Sequence, residues 1–155
     1  MKLKKALELL KIREFVSVAT CDFDARPNVA PKFVLKVEDK NVYLIDYVVG
    51  RTFRNLKINP RASLAFMDLD NLIGYQLNGP VEVIDEGHLY DKMIHELSQR
   101  QIELSVQRVI EGVDKGKTHK VFEVGLPEQF VIFKISIEEI IEIGSSGEVK
   151  RERIN

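Results

Sequence analysis

The chain has 155 residues, 45% of them hydrophobic and 30% charged, with a net charge of −1 and one cysteine, Cys21. This balance excludes a disordered chain and gives no electrostatic pull toward nucleic acid. A lone cysteine excludes an internal disulfide and suits a reducing compartment, and no apolar run approaches the roughly 20 residues of a membrane helix. The expectation is one cytoplasmic domain over residues 1–155.

Lys2 to Arg13 carries Leu3, Ala6, Leu7 and Leu10 at helical spacing, with Lys4, Lys5, Glu8 and Lys11 off that stripe. The interleaved charge leaves no signal-peptide core, and the pattern predicts a helix over 2–13 packed on its own domain rather than on a membrane. Phe15 to Thr20 reads as a strand and Cys21 to Pro27 as a turn. Asp22 and Asp24 look like the start of a calcium loop, but Arg26 and Pro27 stand where a ligand and a glycine belong. Asn28 to Val37 alternates, with Val29, Pro31, Phe33, Leu35 and Val37 on one side and Ala30, Lys32, Val34 and Lys36 on the other. Asp39-Lys40-Asn41 reverses the chain into the strand Val42–Tyr47, which predicts a hairpin.

The segment Val48–Arg61 then crosses Gly50 and opens a short helix. Thr52 is read as its N-cap, Phe53 and Leu56 as its buried face, and Asn59-Pro60 as its stop, with Asn59 able to turn left-handed. Arg51, a hydroxyl and the free amides of a first helical turn together suit a phosphate. A surface helix with a solvated arginine is the plain alternative.

Ala62 to Met67 is a further strand, and Asp68–Asn71 turns into a long one over Leu72–Ile84. Gly79-Pro80 within it predicts a bend of the kind that curves a sheet into a barrel. Strands joined mostly by tight turns make an antiparallel barrel over 15–85 the economical arrangement. From Gly87 to Val113 the pattern is helical, with Tyr90, Met93, Ile94 and Leu97 on one face and Ile102, Val106, Val109 and Ile110 on another. Ser98–Gln101 leaves open whether this is one helix or two. Gly112–Lys117 reads as a loop, and Thr118–Leu126 carries no assignable pattern. Phe130–Ser136 and Glu139–Ile143 read as a final strand pair or one bent strand, and the polar tail after Gly144 as fraying or surface chain.

Other chemistries find little support. His88 and His95 lie about 10 Å apart along a helix, too far to share a metal, and His119 stands alone. Cys21 lies beside acidic residues, which disfavour a thiolate. Ser17, Ser63 and Ser98 have no histidine at motif spacing, and no glycine-rich phosphate loop is present.

In order, the Arg26-Pro27-Asn28 turn, the strand with Pro31-Lys32-Phe33, the Arg51-Thr52…Asn55-Leu56-Lys57…Asn59-Pro60-Arg61 helix and the Gly79 strand resemble the FMN-binding split-barrel family, the pyridoxamine 5′-phosphate oxidase-like proteins. The resemblance runs from Phe15 to Asp85. It implies a mainly β fold, a split barrel with peripheral helices, and a homodimer holding FMN at its interface. The phosphate would sit on Arg51 and Thr52 with Asn55 assisting. The ring would lie along Ala30, Pro31, Lys32 and Phe33, flanked by Ile45 and Asp46, with Gln76 reaching across from the other subunit. Lys32 would either place a cation near the flavin, raising its potential, or face water as an ordinary strand lysine.

The vitamin B6 oxidases proper carry a tryptophan- and arginine-containing motif near the C-terminus. This chain has no tryptophan and Gly144–Asn155 lacks that motif, which points to a small oxidoreductase with another substrate. The alternatives are a non-enzymatic flavin or electron carrier, and the same scaffold holding haem or a deazaflavin.

Overall fold

A computed structural model describes residues 2–47, 49–114 and 130–155. Its elements are α1 (Lys2–Lys11), β1 (Phe15–Cys21), β2 (Pro27–Glu38), β3 (Asn41–Asp46), α2 (Arg51–Ile58), β4 (Arg61–Asp68), β5 (Ile73–Ile84), α3 (His88–Asp114), β6 (Val131–Ser136), β7 (Glu139–Ile143) and β8 (Val149–Arg153). They fall into two compact units, residues 1–85 with 129–155, and residues 86–128. His119 and the segment 118–126 lie outside the described residues, as do Val48 and residues 115–117 of the expected loop.

In the first unit the antiparallel order β4-β1-β2-β3-β6-β5 closes through the β4–β5 pairing, so six strands form a barrel and the expected fold class is observed. Its interior is filled by Val16, Val18, Val34, Leu44, Leu64, Leu77, Phe133 and Ile135. α1 buries Ala6, Leu7 and Leu10 in the same core, which answers the membrane alternative for this helix. Burying such leucines contributes about 1.5–3 kcal/mol each. Lys5 on α1 also lies 3.5 Å from Asp68 at the end of β4. The side-chain amide of Asn71 donates to that carboxylate at 2.8 Å and holds it below the usual carboxylate range.

The expected bend in β5 has a clear physical basis. One edge of β5 pairs with β4 over residues 73–80, while the other pairs with β7 over residues 74–78 and with β6 over 81–84. β6 and β7 therefore run consecutively along the same edge as one bent strand, the second of the two sequence readings. At the bend Glu138 N–H donates to Asn78 O at 2.9 Å. A Cβ on Gly79 would lie 1.9 Å from Ser136 O and 2.8 Å from Ser136 C, so only glycine lets the two backbones approach. Gly79→Ala should cost about 1–3 kcal/mol, because main chain rather than a flexible side chain must give way. A urea midpoint unchanged from wild type would refute this role.

Two sequence expectations need correction and one is narrowed. α2 begins at Arg51, and its N-cap is Gly50 rather than Thr52; Thr52 lies inside the first turn, where its side chain is drawn inward by the bonds described below. Asn59 keeps a helical bond from its N–H to Asn55 O at 2.7 Å but ends the helix in an extended conformation (φ −124°, ψ 93°), not a left-handed one, as a residue before proline favours. Of the two readings of the tail, fraying gives way to ordered surface chain: exposed Val149–Arg153 pairs with β7 from Ile143↔Val149 to Glu139↔Arg153.

In the second unit α3 is a single helix of 27 residues, so Ser98–Gln101 does not divide it. Ser98 Oγ bonds back to Ile94 O at 3.2 Å and keeps its hydroxyl satisfied within the helix. Ile102, Val106, Val109 and Ile110 remain exposed. Among the described residues no helix is long and apolar enough to cross a membrane.

Candidate functional site

Register decides which side of β2 meets the core. Val16, Val18 and Thr20 on β1 stand opposite Lys32, Ala30 and Asn28 on β2, and residues directly opposite share a face. Val16 and Val18 belong to the core, so Asn28, Ala30 and Lys32 point inward with Val34. The more apolar side, with Val29 and Pro31, faces outward, and Val29 is 66% exposed.

This orientation collects polar groups inside the barrel. The buried polar or charged residues among those described are Thr20, Lys32, Asp46, Thr52, Asn55 and Asp68, and all but Asp68 belong to α2 or to β1–β3. Lys32 Nζ lies 2.7 Å from Asp46 Oδ1, with side chains 9% and 2% exposed. The strand lysine facing water is thereby excluded: Lys32 is turned into the barrel, and its charge is matched by a carboxylate. Asn55 Nδ2 donates to Thr20 Oγ1 at 3.1 Å. Asn28 Nδ2 donates to Thr52 Oγ1 at 3.1 Å and reaches Thr20 Oγ1 at 3.4 Å. At the far end of α2, Asn59 Nδ2 meets Cys21 Sγ at 3.1 Å.

The outer end of α2 has the opposite character. Its glycine N-cap makes no side-chain cap bond, and the first intrahelical bond runs from Arg54 N to Gly50 O at 3.2 Å. The amides of Arg51, Thr52 and Phe53 precede that bond and have no helical acceptor. No acidic residue occupies the first turn, and Arg51 is exposed beside these donors. Leu56 is buried and Phe53 packs against the core, as the spacing predicts. Lys57 sits 5.2 Å over the Phe53 ring and 3.2 Å from Asp85, which braces the same helix.

The other predicted residues divide between surface and interior. Ala30 is half-buried and Pro31 exposed, whereas Phe33, Ile45 and Asp46 are buried. Phe33 meets Phe15 and Tyr47 edge-on, with centroids 5.8 and 6.2 Å apart. Thr52 and Asn55 are buried, with side chains committed to Asn28 and Thr20. Gln76 lies on β5, with its amide 3.1 Å from Asn78 Oδ1. The pairings Pro31↔Ser17, Ser17↔Ala65 and Ala65↔Gln76 set Pro31 and Gln76 in one row on the outer face. Three strand spacings, about 14 Å, separate them within one chain. Pro31, Ser17 and Ala65 are exposed, and Phe15, Met67 and Val29 extend the open face on either side of this row.

Thr20 and Asn28 are the residues that sequence reasoning missed. Asn28 belongs to the recognised turn motif without a role of its own. Thr20 continues the inward alternation of Val16 and Val18, and a hydroxyl at the end of such a series was the available signal.

Solved structures share this fold at low sequence identity. A protein related to general stress protein 26 (pyridoxinephosphate oxidase family) from Clostridium acetobutylicum is 18% identical, with a TM-score of 0.69 over 98% of this chain and 94% of that one. A pyridoxamine 5′-phosphate oxidase-related, FMN binding protein from Nostoc punctiforme is 13% identical, with a TM-score of 0.57 over 99% and 93%. A heme binding protein from Mycobacterium smegmatis is 16% identical, with a TM-score of 0.61 over 99% of this chain and 58% of that one. No curated protein matches the chain in sequence. The family profile described as pyridoxamine 5′-phosphate oxidase matches residues 3–143, nearly the whole length, and the chain belongs to that family.

Proposed function

We propose that this protein binds FMN between two identical subunits and acts as a small oxidoreductase. The observation that carries the reading is the outer end of α2, where an exposed guanidinium stands beside amide donors that no side chain caps. A phosphate monoester accepts from amides of this kind and pairs with an arginine fork. Thr52 and Asn55 contribute by fixing the helix, since their side chains face the barrel. The ring would lie against the outer strand at Ala30 and Pro31, with Lys32, Phe33, Ile45 and Asp46 forming its buried backing.

A second copy is part of the proposal because the outer face leaves Val29, Pro31, Phe15 and Met67 open to solvent. Contiguous apolar surface of this kind marks an interaction site, and a two-fold pairing would cover it on both copies. It would also let Gln76 of the partner subunit approach a ring that Gln76 of the same chain stands too far away to touch. Bound flavin supplies the hydride or electron chemistry, and the chain supplies anchoring and electrostatics. The single unbridged Cys21 suits the reducing cytoplasm.

The deciding experiment is the visible spectrum of the purified protein, with and without added FMN. Two flavin bands retained through desalting support the reading, and reduction by a nicotinamide nucleotide then favours the enzyme. Reduction by dithionite alone favours an electron carrier. The haem-binding protein of the same fold favours a second reading, haem in place of FMN, which a Soret band would reveal. A colourless protein that leaves FMN fluorescence unquenched overturns the proposal.

A further inference from the structure

We infer that Thr20 is a positioning residue for the phosphate end of the cofactor site, an inference that rests on the FMN reading above. Thr20 is buried on β1, and it would act through two other side chains rather than by touching a ligand. Its hydroxyl oxygen accepts from Asn55 Nδ2 on α2 at 3.1 Å and from Asn28 Nδ2 on β2 at 3.4 Å. Asn28 in turn donates to the Thr52 hydroxyl at 3.1 Å. One oxygen thus holds α2 directly through Asn55 and indirectly through Thr52, using both of its acceptor positions.

The geometry of α2 explains why this matters. A helix of eight residues has few internal bonds and takes its orientation from what it packs on. Leu56 and Phe53 press it onto the core, but apolar packing is non-directional and tolerates rotation about the helix axis. Thr52 and Asn55 are three residues apart and share the inward face, so their bonds fix that rotation. Arg51 precedes Thr52 and is exposed, so the same rotation sets the direction of its guanidinium and of the first-turn amides. Small displacements of such donors weaken binding strongly.

Riboflavin and FMN differ only in the phosphate, so their affinity ratio reports the phosphate subsite alone. Thr20→Val keeps the shape and removes the acceptor. It should weaken FMN binding about tenfold while riboflavin binding stays unchanged, as read by fluorescence titration. Thr20→Ser, which restores the hydroxyl, should return the wild-type ratio. If Thr20→Val does not fold, Asn28→Ala severs the Thr52 branch while leaving the Asn55 bond, and the same fall in ratio is expected at smaller size.

Equal weakening of both ligands would mean general damage to the barrel and would overturn the inference, as would an unchanged ratio. A wild-type protein with no preference for FMN over riboflavin would overturn the phosphate reading and this inference together. A wild-type preference that survives in the variants would overturn this inference alone.

Discussion

Lys32→Met should lower folding stability by about 3–5 kcal/mol, the usual consequence of removing one partner from a buried ion pair. The ammonium and carboxylate are 2.7 Å apart, and almost none of either side chain reaches solvent. Methionine would replace most of the aliphatic stem, so little packing is lost. What remains is the Asp46 carboxylate, facing a barrel interior that contains Val131 on the neighbouring strand and Leu44 two residues back on its own. The double variant Lys32→Met, Asp46→Leu should recover most of the loss, because an apolar pair of similar volume avoids the desolvation of both charges. Urea unfolding with an unchanged m-value would measure both effects. A single-variant loss below about 1 kcal/mol, the range of solvent-exposed pairs, would show that water reaches the pair in solution. The pairing also changes what Lys32 can offer a flavin. A cation matched by a carboxylate at hydrogen-bond distance presents little net field, so a large effect on the potential through Lys32 alone is not expected.

The barrel was legible because its signals are local. Alternation, the short reversal at Asp39–Asn41 and the Gly79-Pro80 pair each act over a few residues, and together they allow few topologies. The open end of α2 was legible for the same reason, as Gly50-Arg51 is a contiguous signal. The inward side of β2 was not. Both sides of that strand carry apolar residues, and period-two alternation separates them without saying which meets the core. Register with β1 settles it, and it places Asn28 and Lys32 inside only because Thr52, Thr20 and Asp46 are there to receive them. Those partners lie 8 to 24 positions away along the chain. The misplaced helix cap has the same origin. A threonine near a helix start suits the cap or the first turn equally well, and here a distant asparagine draws its hydroxyl inward. β8 escaped notice because Val149–Arg153 is exposed at every position and shows no alternation, the pattern of a charged edge strand paired on one side.

Arg51→Ala should weaken FMN binding by about 1.5–3 kcal/mol, the worth of hydrogen bonds to a charged group. That corresponds to roughly a ten- to 150-fold rise in Kd. The folded protein itself should be nearly unaffected. Arg51 is exposed, and surface substitutions away from packed or capped features usually change stability by about 0.5 kcal/mol or less. The loss should therefore appear in titration and not in thermal unfolding of the apoprotein, which separates a ligand contact from a structural one. Riboflavin, lacking the phosphate, should bind wild type and variant alike. Salt supplies a further check: a guanidinium–phosphate pair open to solvent is screened, so FMN affinity should fall with ionic strength in the wild type and fall less in the variant. The amides of the first turn would remain in Arg51→Ala, so binding should be weakened rather than abolished. Unchanged FMN affinity would place the phosphate elsewhere and leave the open end of α2 as a solvated helix terminus, the plain alternative with which the sequence began.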